Sequence, residues 1–179
     1  MNRQRFTIMV VVPLFLWAMW RQYDTADRHY RASEAYAAAG KYQESLAEIN
    51  VAMDRGGSFS MPQALINRGE LKRRLGDADG AVADASRAIE LDPLRAEGFF
   101  ARGVARHTQG NAASAIEDFT QAIALDPYYS KARLYRGTVL IKQGRLADGN
   151  ADVAEAIRRQ PDLQIDADKM LVRSAKRTP

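Results

Sequence analysis

The sequence predicts an all-α chain, an α-solenoid of about four helical hairpins behind an N-terminal single transmembrane helix. Three observations predict it. The chain matches itself at a fixed step: Gly69, Gly103 and Gly137 are evenly spaced, and the same interval separates Gly76, Gly110 and Gly144, then Ala88, Ala122 and Ala156, then Pro93, Pro127 and Pro161. Self-similarity at a period of roughly 20 to 50 residues marks a solenoid. Each copy also alternates an Ala-rich amphipathic stretch, a glycine and a second amphipathic stretch, closed by proline in the last three copies, which spells helix, turn, helix, turn. Finally, one uncharged run at Phe6–Trp20 stands apart from the repeats.

A chain of 179 residues with 46% apolar content can form one folded domain plus an anchor, and disorder is not its default. It has no cysteine, which excludes disulfides and thiolate metal sites and fits any redox compartment. The formal charge is +4, of which Arg3 and Arg5 supply two, ahead of the apolar run. The remainder is nearly balanced, so it lacks the electrostatic footprint that a nucleic-acid backbone requires.

The N-terminal run reads FTIMVVVPLFLWAMW. Fifteen helical residues span about 22 Å, short of the roughly 30 Å of a bilayer's hydrocarbon. Its flanks lengthen it: Arg3, Arg5 and Arg21 can snorkel, and Trp17, Trp20 and Tyr23 form an aromatic belt at one end, with Phe6 opening the apolar stretch. Pro13 is tolerated mid-span. A cleavable signal peptide would share this start, but Trp17 to Arg28 offers no convincing small-x-small site. A buried helix of the soluble domain is the third reading. The expectation is a single-pass anchor over residues 1–23. Arginines flank both ends, so orientation rests on the short tail with Arg3 and Arg5 staying cytoplasmic. That puts the repeats in the periplasm of a bacterial inner membrane, with the cytoplasmic face as the alternative. No Gly or Pro occurs between Pro13 and Gly40, so the anchor passes into the first repeat helix with little flexible linker.

Residues 24–163 divide into units 26–59, 62–95, 96–129 and 130–163, with Ser60 and Met61 inserted. Gly40, Gly76, Gly110 and Gly144 end each first helix, since glycine takes positive φ without strain. Asp92-Pro93 and Asp126-Pro127 end second helices, because the residue before proline is pushed out of the helical region. Ser33 takes the place of Gly69, Gly103 and Gly137 in the first unit. The pattern resembles the tetratricopeptide repeat. Phe99, Gly103, Ala115, Phe119, Ala122 and Pro127 fall on its signature positions in the third unit, and Leu65, Gly69, Ala81, Ala88 and Pro93 do so in the second. The fourth keeps Gly137, Ala156 and Pro161 but has Gly149 where alanine is usual. The first is weakest, with Ser33, Tyr36, Tyr42 and Ala52, and Gly57 in place of proline.

Arg68, Arg102 and Arg136 stand where the family usually has leucine. Sixteen residues on are Asp84, Asp118 and Asp152, which suits bidentate ion pairs between the two helices of a hairpin. The first unit has Ala32 and Glu48 at these places. The competing reading is a row of arginines that reads acidic ligands.

The resemblance implies a concave groove lined by the first helix of each unit. Its groove positions fall on Tyr30 and Glu34 in the first unit, beside Asp27 and Ala37, and on Ile66, Glu70 and Arg73 in the second, beside Gln63. The third unit offers Phe100, Val104 and His107, beside Glu97, and the fourth Leu134, Thr138 and Ile141, beside Lys131. This stripe is more apolar than a purely polar peptide clamp. It suits an amphipathic or extended segment of a partner. Residues 164–179, with Ile165, Met170, Leu171 and Val172, form a capping helix or tail that covers the last hairpin or fills the groove. The family's clamp for chaperone C-terminal carboxylates is missing: at its places stand Tyr30, Glu34, Asn67, Glu97 and Ala101, of which only Asn67 fits.

Nothing in the chain spells catalysis. His29 and His107 are isolated, with no HExxH, no phosphate loop and no GxSxG elbow. No enzyme activity, cofactor, metal site or small-molecule substrate is expected. The partner is another protein, in or at the same membrane. It is held by a scaffold or assembly factor, or the chain is a permanent accessory subunit of an integral membrane complex.

Overall fold

The computed structural model describes residues 25–175, with side chains through Leu171. In chain order the helices are α1 (residues 25–38), α2 (Tyr42–Arg55), α3 (Met61–Arg74), α4 (Ala78–Leu91), α5 (Ala96–Thr108), α6 (Ala112–Leu125), α7 (Ser130–Lys142), α8 (Leu146–Arg159), a 3₁₀ turn at Pro161–Leu163, and α9 (Gln164–Ala175). No strand occurs among the described residues. The uncharged N-terminal run, with Phe6, Trp17, Trp20 and Tyr23, lies outside them. Among the described residues no helix is long and apolar enough to cross a membrane.

The turn within each hairpin is set by one glycine. Gly76 adopts φ +90°, which lets its N–H reach the Arg73 carbonyl and the Asp77 N–H reach the Lys72 carbonyl. These bonds satisfy carbonyls that the helix end would leave bare. The longer bond recurs as Lys41 to Tyr36, Asn111 to Arg106 and Arg145 to Leu140. Asp77 and Asn111 then cap the following helices by accepting the N–H of Gly80 and Ser114. The loops 92–95 and 126–129 return the chain between hairpins. Of the two inserted residues, Ser60 extends the loop 56–60 and Met61 becomes the first residue of α3.

Small residues let the paired helices close. In α6, Ala115, Phe119, Ala122 and Ile123 are buried, the spacing of one helical face. A Cβ on Gly137 would lie 2.7 Å from the Gly149 carbonyl oxygen, and one on Gly149 would lie 2.6 Å from Ile141 Cγ1. This close approach explains why the fourth unit has glycine at 149 where alanine is usual. The first unit solves the same contact with hydrogen bonds: Ser45 Oγ donates to the Ser33 carbonyl at 2.8 Å, and the two buried hydroxyls lie 3.0 Å apart. Gly57 is explained as well, since a Cβ there would strike the Asp27 carboxylate. That carboxylate accepts from the Ser58 N–H and hydroxyl.

These contacts rank two substitutions. Gly137→Ala meets backbone and should cost about 1–3 kcal/mol through overpacking. Gly69→Ala meets the Ala81 carbonyl oxygen at a looser 3.3 Å and should cost clearly less. Urea unfolding of the two variants checks the order, and equal losses would refute it.

Candidate functional site

First helices α3, α5 and α7 lie side by side and leave a concave cleft of about 560 Å³, closed at one end by α9. Ile66, Phe100 and Val104 line its apolar wall, and Gln63, Glu97 and Lys131 reach it from the helix starts. Phe100 is held in place by aromatic neighbours: its ring centroid lies 5.1 Å from those of Tyr129 and Tyr135 and 5.8 Å from that of Phe119. Burial raises the pKa of both tyrosines, aided at Tyr129 by Glu97 and Asp126. Their hydroxyls therefore stay neutral.

Glu70 and Arg73 both reach the cleft, joined to each other. Arg73 Nε and Nη2 donate to the Glu70 carboxylate at 2.8 and 2.7 Å, and Arg74 Nε donates to it at 2.7 Å. Burial pushes the Glu70 carboxyl up, but the two arginines outweigh it and leave it below its ordinary value. Glu70 and Arg73 form a fixed dipole, and Arg74 leaves the cluster with one net positive charge at the cleft.

Tyr30 lies outside this cleft. It stacks on Phe59 with ring centroids 4.7 Å apart, and its oxygen accepts from Asn67 Nδ2 at 2.9 Å. Glu34 is exposed and borders a smaller cleft of about 340 Å³ against Asn67, Glu70 and Arg74. His107 also stays out of the main cleft. Its Nδ1 is buried without a hydrogen-bond partner, and burial, then the Lys142 charge, holds the imidazole below its ordinary pKa.

The fourth unit corrects the sequence reading. Leu134 borders the cleft but is only 1% exposed, because it packs with Ala167 and Met170 of α9. Thr138 is fully buried and donates back to the Tyr135 carbonyl. Ile141 turns toward Gly149 of α8. None of the three offers an open groove surface. In their place α9 contributes Asp166, Lys169 and Met170 to the cleft wall, and α7 contributes Tyr135. Tyr135 sits one place after an expected groove position, and the α9 residues lie outside the repeat, so periodicity had no way to assign either.

The arginine row faces away from the cleft. Arg68 Nε and Nη2 donate to Asp84 at 2.8 and 2.6 Å. Arg102 does the same to Asp118 at 3.1 and 2.8 Å, and Arg136 to Asp152 at 2.6 and 2.8 Å. Each aspartate is buried and faces a second cation, Lys72, Arg106 or Arg133. Arg68 and Arg136 also reach back to the preceding hairpin, donating to Asn50 and Thr120. In the first unit, where Ala32 replaces the arginine, His29 meets Glu48 instead. The row therefore ties hairpins together and leaves no open face for an acidic ligand. Among the described residues no group of three or more His, Asp or Glu side chains is placed to hold a metal ion.

Comparison with known proteins gives the same architecture. A tetratricopeptide repeat family model matches residues 66–130. Solved structures share the fold at low identity. The thermophilic TPR protein TTC0263 of Thermus thermophilus has a TM-score of 0.71 at 18% identity, over 83% of this chain and 80% of that one. YrrB, a TPR protein with an unusual peptide-binding site, gives 0.64 at 20%, over 84% and 74%. The first TPR of Spaghetti (RPAP3), bound to the HSP90 peptide SRMEEVD, gives 0.62 at 21%, over 68% and 98%. No curated protein matches the sequence.

Proposed function

We propose that this chain, a member of the tetratricopeptide repeat family, is a membrane-tethered scaffold or assembly factor that holds a segment of another protein in its cleft. One observation carries the reading. The cleft joins an apolar wall of Ile66, Phe100 and Val104 to a polar rim of Gln63, Glu97 and Lys131. That combination suits an amphipathic helix or an extended segment whose alternate side chains are apolar. Peptide binding by structural neighbours such as YrrB and the RPAP3 domain supports it by analogy.

The tether is supported by the uncharged run Phe6–Trp20 and its arginine and tryptophan flanks. In this reading Arg3 and Arg5 stay on the cytoplasmic side, and the hairpins work in the periplasm of a bacterial inner membrane. The partner is a protein in or beside that membrane.

The test uses the full chain in its native membrane. A photoreactive residue at Ile66 should trap a partner that the same residue at Glu117, exposed on α6, does not. Ile66→Asp should lower affinity at least tenfold, about 1.4 kcal/mol. Equal trapping at both positions, or unchanged affinity, defeats the reading. A partner that exchanges during washing marks a scaffold, whereas stoichiometric co-purification in mild detergent marks a permanent accessory subunit.

A further inference from the structure

Helices joined by short loops alternate in direction, so the start of α1 and the loops 56–60, 92–95 and 126–129 gather on one edge of the stack, together with the 3₁₀ turn and the start of α9. Hydrogen bonds run along it. Ser58 donates to Asp27, Arg95 to Gln63, and Arg159 to the Pro127 carbonyl. Each bond ties one of these loops to a helix packed beside it, and the last one joins two units.

The exposed apolar side chains are not spread evenly. Among the described residues five large ones are exposed, and four of them lie on this edge: Leu91, Leu94, Tyr128 and Ile165. Leu94 and Tyr128 are each 79% exposed and Ile165 is 63% exposed. The fifth, Leu146, starts α8 on the opposite edge. The Arg159 guanidinium lies 4.9 Å from the centre of the Tyr128 ring. An aromatic ring beside a long cationic side chain is what the boundary between lipid tails and headgroups favours.

Charge does not explain the edge. Asp92 is paired with Arg95, and Glu155 with Arg158 and Arg159. The chain's own covalent path supplies the reason for a lipid contact. Only residues 21–24 separate the uncharged run from α1, a reach of at most about 18 Å. The edge that carries the exposed apolar residues is the edge at which α1 begins.

We infer that this edge rests on the bilayer surface, with Leu94, Tyr128 and Ile165 entering the lipid interface. The inference builds on the tethered reading above and adds an orientation to it. The stack lies along the membrane, apolar edge down, and the loops within the hairpins face away. The contact is apolar, so high salt leaves it intact, unlike adsorption of a basic patch to anionic lipid.

The chain has no cysteine, so Leu94→Cys, Tyr128→Cys, Ile165→Cys, Leu146→Cys and Trp17→Cys each give one labelling site. Each full-length variant is spin-labelled in phosphatidylcholine nanodiscs. Collision of the label with oxygen, which enters lipid, is compared with collision with a water-soluble nickel chelate. The first three labels should shift toward oxygen, in low and high salt alike, while the Leu146→Cys label stays aqueous. If the Trp17→Cys label is lipid-protected but the three edge labels match Leu146→Cys, the edge inference fails and the tether stands. If the Trp17→Cys label is itself aqueous, both fail. Edge labels shielded from both reagents would assign the edge to a protein or a second copy and overturn the inference.

Discussion

Asp118→Ala is expected to destabilise the protein by about 3–5 kcal/mol, while Glu117→Ala beside it stays within about 0.5 kcal/mol. The two residues are adjacent in α6 and carry the same charge, but Asp118 is 3% exposed and Glu117 faces solvent. Asp118 accepts from Arg102 and from Arg106 Nη1. Deleting it leaves two largely buried guanidiniums facing each other with no counter-charge. The cost is that uncompensated burial, not the net worth of the ion pair. It follows that Arg102→Leu, the residue type usual for the family at this place, should also be costly alone, since Arg106 then balances Asp118 without the bidentate contact. Arg102→Leu combined with Asp118→Leu should recover part of the loss, because the bidentate pair is removed together and only Arg106, whose side chain is 27% exposed, is left without its counter-charge. Chemical denaturation of the four variants measures this. Similar losses for Glu117→Ala and Asp118→Ala, or a double variant no better than the singles, would defeat the argument.

The repeat positions made much of this legible. Glycine and proline at fixed intervals mark where helices must stop, a local backbone requirement independent of tertiary context. The Arg–Asp spacing was readable because two helices joined by a tight turn bring those positions level. The groove was less so. Ile66, Phe100 and Val104 line the cleft, but Leu134, Thr138 and Ile141 offer it no open surface, although all six were drawn from equivalent positions. The difference lies outside the repeat. An end hairpin has no following neighbour, so α9 covers it and closes the cleft there. Which face α9 takes depends on contacts between distant segments, such as Leu134 with Met170, and periodicity carries no information on these. The first unit deviates for a similar reason: the His29–Glu48 contact and the Ser33–Ser45 hydrogen bonds do the work of the Arg–Asp pair and the Gly–Ala contact with side chains that no family position specifies.

Phe119→Ala is expected to cost about 3–5 kcal/mol, and its companion substitution at Gly103 tests the cause. Phe119 is fully buried and supports Phe100 and Tyr135 beneath the cleft, at centroid distances of 5.8 and 5.9 Å. Its ring is also the obstacle at Gly103, where a Cβ would lie 2.7 Å from Cε1. In the native background Gly103→Ala should therefore destabilise by about 1–3 kcal/mol, since the ring has to move within a packed core. With Phe119→Ala present the ring is gone, and the nearest remaining contact is the Asp118 Cβ at 3.2 Å. Gly103→Ala should then cost little or nothing, because the preference for alanine over glycine inside a helix, about 1 kcal/mol, offsets the remaining tight contact with Asp118. The two substitutions should thus couple strongly, with a double variant more stable than the sum of the singles. Urea unfolding of the four-member cycle reads the coupling directly. If Gly103→Ala costs the same in both backgrounds, the Phe119 ring is not what requires glycine there, and the close approach of α5 and α6 rests on the backbone alone.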